Sequence, residues 1–211
     1  MKSFSLLFSA FLLLQLTTLA QEGDCQKIIV YEGKTYNTIQ IGDQCWLKEN
    51  LDIGTMIQGI EEMSDNGIIE KYCYDNDSTN CETYGGLYQW NEAMQYSTTP
   101  GVQGICPEGW HIPTYTEFQS LIDEVSFFEK SLIARGQGIH IDAGTLTSGF
   151  SALLAGNRFS DGYFRSLGVA TALWSSAGSY ATGAYHLDLN YRGYLSTSRK
   201  TRGFSVSCLK D

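Results

Sequence analysis

The sequence predicts an α+β domain held by disulfides, and three observations predict it. An amphipathic segment with a helix-start signal follows Pro113, segments with strand-like alternation separated by glycine turns fill the last third, and the 211-residue chain carries six cysteines. A helical region followed by a run of strands is the order of an α+β fold. One main helix over about 115–126, a shorter helix before it, and an antiparallel sheet ending in a C-terminal meander are expected.

Residues 1–20 have the three-part layout of a secretory signal. Lys2 is the charged start, an apolar run covers 4–16, and Thr18 and Ala20 are the small residues before the expected cut. The run is about a dozen residues, short of the ~20 that a spanning helix needs, so cleavage after Ala20 is expected rather than anchoring. Cys25 follows Glu22, Gly23 and Asp24, which does not fit a lipid-attachment site. A single domain over 21–211 with no transmembrane segment is the expectation. An oxidising, extracytoplasmic location, secreted or at the cell surface, goes with it.

From 27 to 41 the strand pattern Ile28, Ile29, Val30 and Tyr31, a turn at Glu32-Gly33-Lys34, and a second run to Ile41 predict a hairpin. The segment 73–81 reads as an exposed loop. A short helix is expected around 90–95, after the pair Gly85-Gly86. In the main helix Thr114 and Glu117 form a capping box, and Phe118, Leu121, Ile122 and Val125 recur at helical spacing. Segments 184–190, 194–198 and 204–209 are separated by Arg192-Gly193 and 200–203, the pattern of a meander. Alternation puts Tyr185, Leu187 and Leu189 on one face and His186 and Asp188 on the other, which predicts a packed side and a wetter side.

The formal charge is −9, and losing Lys2 with the leader makes it one unit more negative. Such a surface repels phosphate backbones, so nucleic acid is an improbable partner. All six cysteines, Cys25, Cys45, Cys73, Cys81, Cys106 and Cys208, lie beyond the leader, and an even count suits three bridges. Residue types alone leave the pairing open, with Cys73 and Cys81 as the local candidate. No Cys-x-x-Cys pair occurs and the histidines are scattered at 111, 140 and 186, which speaks against a structural zinc site.

Several segments occur together and in order: Ile41-Gly-Asp-Gln-Cys-Trp-Leu-Lys-Glu-Asn-Leu51, Gly86-Leu-Tyr-Gln-Trp90, Cys106-Pro-Glu-Gly-Trp-His-Ile-Pro-Thr114, Trp174-Ser-Ser176 and Gly203-Phe-Ser-Val-Ser-Cys208. On these the chain resembles the Fibrobacter succinogenes major paralogous domain family over roughly residues 30–210. The resemblance implies a protein secreted by, or at the cell surface or in the periplasm of, a Gram-negative bacterium, and carries no defined activity. That family is similar in turn to C-type-lectin-like and sulfatase-modifying-factor folds, so a C-type-lectin-like domain is implied. The Cys-Pro-x-Gly-Trp block and the closing strand then imply a Cys106–Cys208 bridge, which would close a loop of about one hundred residues worth ~4 to 5 kcal/mol. The Glu-Pro-Asn or Gln-Pro-Asp and Trp-Asn-Asp triplets of calcium-dependent lectins are absent, so the resemblance does not extend to their sugar site. It does not extend to formylglycine-forming chemistry either: Cys208 is the only cysteine after Cys106 and reads as structural.

Within 73–81, Asp75, Asp77 and Asn80 offer oxygen ligands on a short tether, the donor type that calcium takes. The same residues are ordinary turn formers, and the Gly and distal Glu of an EF-hand are missing, so a plain turn is the favoured reading and no cofactor beyond possible calcium is expected. Trp46, Trp90, Trp110 and Trp174 sit beside glycine or apolar residues and are expected in the core. Tyr180, Tyr185, Tyr191 and Tyr194, with Arg192, lie in or near loops of the last third and form the candidate ligand surface, with plain strand pairing as the competing explanation. No nucleophile elbow, zinc-protease helix or phosphate loop is present. His186 with Asp188 is the one acid-base arrangement that strand spacing offers, and an exposed polar face explains it as well. Glu117 and Asp161 imply no glycosidase pair. The expectation is a non-catalytic, lectin-like recognition module for glycan or protein. The alternative is a structural subunit of a surface or envelope assembly.

Overall fold

The structure is a computed structural model and describes residues 25–125, 132–137, 148–190 and 193–211. The expected leader lies outside them. Among the described residues the fold is mostly antiparallel sheet with three α-helices and three disulfides.

The chain opens with the expected hairpin, β1 (Ile28–Tyr31) against β2 (Lys34–Ile41). Its two-residue turn has φ of 48° at Glu32 and 74° at Gly33. A turn with both centres left-handed matches the natural twist of a hairpin and accounts for the glycine. Strand β3 (Gln44–Leu47) extends this sheet, and β4 (Thr55–Ile57) and β5 (Glu70–Tyr72) form a small parallel pair. Helix α1 (Ser78–Tyr84) follows, then α2 (Trp90–Ala93), β6 (Trp110–His111) and α3 (Tyr115–Glu124).

In α3 the capping box is complete. The Thr114 hydroxyl accepts from the Glu117 N–H, and the Glu117 carboxylate accepts from the Thr114 N–H at 2.7 Å. Phe118 and Leu121 are buried, and the Phe118 ring stacks on Trp46 at 5.5 Å. The helix is described to Glu124, with Val125 as its cap; residue 126 of the expected span lies outside the described residues.

The second sheet has strand order β11-β10-β9-β7-β8, with β7 (Ala155–Arg158), β8 (Phe164–Leu167), β9 (Thr171–Tyr180), β10 (Gly183–Leu189) and β11 (Gly193–Arg199). The meander is therefore β9-β10-β11, and 204–209 does not continue it. That segment crosses to the first sheet and ends in β12 (Leu209–Lys210), between β3 and β6. On the way it is hydrogen-bonded on both sides. Phe204 exchanges bonds with Tyr88, Trp174 N–H donates to Ser205 O at 3.0 Å, Leu51 N–H to Val206 O at 2.8 Å, and Leu47 N–H to Cys208 O at 3.0 Å. The strip sews the two sheets together.

This strip also removes the expected wetter face of β10. His186 is 3% exposed, its ring 4.8 Å from Phe204 and 5.9 Å from Trp174. Residues 184 and 186 face the core under Phe204, while Leu187 and Leu189 face a second core with Trp46, Phe118 and Phe150. A strand buried on both sides cannot show solvent alternation, whatever its side-chain period.

All four tryptophans are core residues. The Trp174 indole N–H donates to Tyr88 O at 2.7 Å and that of Trp90 to Ser175 O at 2.8 Å, which fixes both rings. Cys73 pairs with Cys81, Cys106 with Cys208, and Cys25 with Cys45. No helix among the described residues is long and apolar enough to cross a membrane.

Candidate functional site

At the end of the second sheet, Gly183 of β10 stands opposite Tyr180 of β9 and Arg199 of β11. Strand register thus sets Tyr180 and Arg199 on either side of one glycine. The Tyr180 ring lies over that glycine so closely that a Cβ there would fall 2.2 Å from ring carbon. The ring thus packs against the glycine backbone, and Tyr180 is still 53% exposed.

Two loops complete a cleft of about 540 Å³: residues 159–163 after β7, and 200–203 after β11. Phe159, Ser160, Asp161, Arg199 and Arg202 line it with Tyr180. Two guanidinium groups lie over the Phe159 ring, Arg202 at 4.0 Å and Arg165 at 4.5 Å from its centroid. Such stacking orients planar arginines and leaves their N–H edges available. The loops are tied by Ser160 Oγ and Thr201 Oγ at 2.8 Å. The Asp161 carboxylate accepts from Tyr163 N–H and lies 3.7 Å from Arg165.

Charge is crowded here. Burial, then Arg165 and, more weakly, Arg199, push the Arg202 guanidinium down from its ordinary value, while Asp161 and Asp188 act the other way. Beneath the sheet, burial and then Arg202 lower His186 to about 4, so it is neutral near pH 7. Asp188 is raised by burial, and the two side chains are 3.9 Å apart. This pair is core packing rather than a proton-transfer dyad at the surface.

The candidate tyrosines divide. Tyr180 joins the cleft. Tyr194, 47% exposed, stands five residues along β11 from Arg199, about 17 Å away at strand rise. Tyr185 is half-buried with its ring edge-on to Tyr115 at 4.9 Å. Tyr191 and Arg192 lie outside the described residues. Phe159, Arg199 and Arg202 belong to the site without a motif to announce them. Their one signal is that 199–202, Arg-Lys-Thr-Arg, is a dense basic run in an acidic chain.

The 73–81 segment is not a loop throughout. Asp77 caps α1, its carboxylate accepting from the Thr79 N–H at 2.9 Å and hydroxyl at 2.8 Å, and Asn80 donates to Tyr74 O at 2.9 Å. One Asp77 oxygen is thus occupied by the helix cap, and the Asn80 side chain is tied back to the preceding turn. Among the described residues no group of three His, Cys, Asp or Glu is placed to hold a metal ion.

Two further polar clusters are structural. Arg158, 1% exposed, donates to Gly59 O and Thr201 O at 2.8 Å each and to Glu62 at 2.9 Å, with its guanidinium over Tyr72. His111 bridges Asp211 at 2.6 Å and Glu117 at 3.1 Å, joining β6 to the α3 cap.

Fold and cleft together define a disulfide-bonded α+β domain that presents one aromatic, arginine-lined cleft at a sheet end. The chain belongs to the Fibrobacter succinogenes major domain family, whose profile matches residues 39–210. No curated protein and no solved structure matches it.

Proposed function

We propose that the chain is a non-catalytic, extracytoplasmic recognition module, C-type-lectin-like in fold, that binds glycan or protein through the cleft at Tyr180. The observation that carries this reading is the flat, half-exposed Tyr180 ring held over Gly183 beside polar lining groups. A rigid aromatic face with hydrogen-bonding groups around it is the usual construction of a sugar subsite. Three disulfides suit a protein secreted or displayed at the surface of a Gram-negative bacterium.

A second reading, a structural subunit of a surface or envelope assembly, has its own support. Strand β1 is at a sheet edge, pairs only with β2 among the described residues, and exposes Ile28 and Val30. Such an edge is a template for strand addition. A glycan array combined with sedimentation separates the two. Saturable binding by a monomer, lost in Tyr180→Ala, supports recognition. Concentration-dependent assembly without glycan binding supports the subunit and overturns the first reading.

A further inference from the structure

We infer that the cleft takes an anionic saccharide, one carrying carboxylate or sulfate groups; this rests on the recognition reading above and specifies its ligand. The chain has a net charge of −9, yet Arg199 and Arg202 both line this cleft, and Arg165 lies beside it over the Phe159 ring. Only Arg165 has an ion-pair partner there, Asp161 at 3.7 Å. Among the described residues, neither Arg199 nor Arg202 lies within ion-pair distance of a carboxylate. Burial is the larger cause of the downward push on Arg202, and repulsion from Arg165 and Arg199, opposed by Asp161 and Asp188, adds to it. A bound anion relieves that repulsion.

Geometry narrows the anion. The Arg202 guanidinium lies over the Phe159 ring at 4.0 Å, and its N–H groups are what it offers a ligand. A guanidinium is the partner of planar carboxylate and of sulfate oxygens, through paired charge-assisted hydrogen bonds. Tyr180 supplies the adjacent stacking face, and Ser160 and Asp161 supply groups suited to sugar hydroxyls. An acidic peptide satisfies the arginines but leaves the flat Tyr180 ring without a matching surface. A neutral glycan satisfies Tyr180 but leaves the cation crowding unrelieved.

The test is calorimetry on the full disulfide-bonded chain with three oligosaccharides of equal length: a uronate oligomer, a sulfated oligomer and a neutral one. The uronate or the sulfated oligomer is expected to bind, whichever source supplies the anion, with affinity falling as salt is raised. Arg199→Gln, at an exposed position, should weaken binding about tenfold. Arg199→Gln/Arg202→Gln should abolish it with the melting temperature of Arg199→Gln unchanged from the parent. Equal binding of the neutral oligomer, insensitive to Arg199→Gln but lost in Tyr180→Ala, overturns the anionic inference and leaves the recognition reading standing. Binding of an acidic peptide with none of the three oligosaccharides overturns the saccharide class. No binding of any of these probes overturns both.

Discussion

Replacing each disulfide by an alanine pair should destabilise the domain in the order of the loops they close. The bridges span 102 residues for Cys106–Cys208, 20 for Cys25–Cys45 and 8 for Cys73–Cys81. In the loop-entropy description these lengths correspond to about 4.7, 3.3 and 2.5 kcal/mol at 25 °C. Cys106 and Cys208 are fully buried, as Cys73 is and Cys81 nearly is, so a packing penalty adds to the long and the short bridge alike and the order rests on loop length. For a chain of this size about 2–4 °C accompanies each kcal/mol, so the long bridge should lower the melting temperature by about 9–19 °C and the short one by about 5–10 °C. Alanine pairs avoid free thiols, and urea unfolding followed by tryptophan fluorescence reads the four buried indoles directly. Equal losses for the three pairs, or a reversed order, would refute the reasoning and place the stabilisation in native-state contacts instead.

Other consequences are as direct. Arg158→Ala should cost about 3–5 kcal/mol in urea unfolding, because buried carbonyls of Gly59 and Thr201 lose their donor, whereas Glu62→Ala, at the exposed end of the same ion pair, should cost under about 1 kcal/mol. A large loss in Glu62→Ala would show that the pair, not the carbonyl set, matters. The His111 cluster predicts a pH window. Its hydrogen bond to the Glu117 carboxylate raises the His111 pKa above 6.5, so that contribution is complete below 6.5 and fades as pH rises through the folded value. Burial pushes Glu117 up, but His111 and Thr114 outweigh it and hold the carboxyl at about 2, so its contribution is complete above 4.5 and fades toward pH 2. Melting temperature should fall from pH 6.5 to 9 in the parent and fall less in His111→Gln; parallel curves would exclude the cluster. Thr114→Ala should cost about 1 kcal/mol through the lost α3 cap, measured by thermal unfolding, and Thr114→Ser should restore most of it.

Local signals were readable and long-range ones were not. The β1–β2 hairpin and α3 announce themselves because turn chemistry and a capping box act within a few residues. Helix α1 did not, since Asp77, Ser78 and Asn80 are as common in turns as at helix starts, and only the Asp77 bond to Thr79 decides. The segment 204–209 has strand composition, yet its partners Leu47, Leu51, Tyr88 and Trp174 lie from about thirty to about 160 residues upstream, and nothing local selects them. That strip is also what buries His186, so the face assignment on β10 failed for the same reason. At the cleft, Tyr180 was legible as a loop aromatic. Arg202 falls in the 200–203 turn and Arg199 carries no sequence signal of its own, because a basic run between strands looks alike whether or not a second loop brings Phe159 beneath it.

The three bridges join each cysteine to the next one along the chain: first to second, third to fourth, fifth to sixth. A polypeptide oxidised in the order in which its cysteines emerge therefore reaches this connectivity without reshuffling any bond. The vulnerable interval is the long one, when Cys106 waits as a thiol until Cys208 emerges 102 positions later. During that interval the groove between β3 and β6, which the last strand fills, is open as well. Closure of the final bridge and completion of the first sheet are thus a single event in the maturation of the domain.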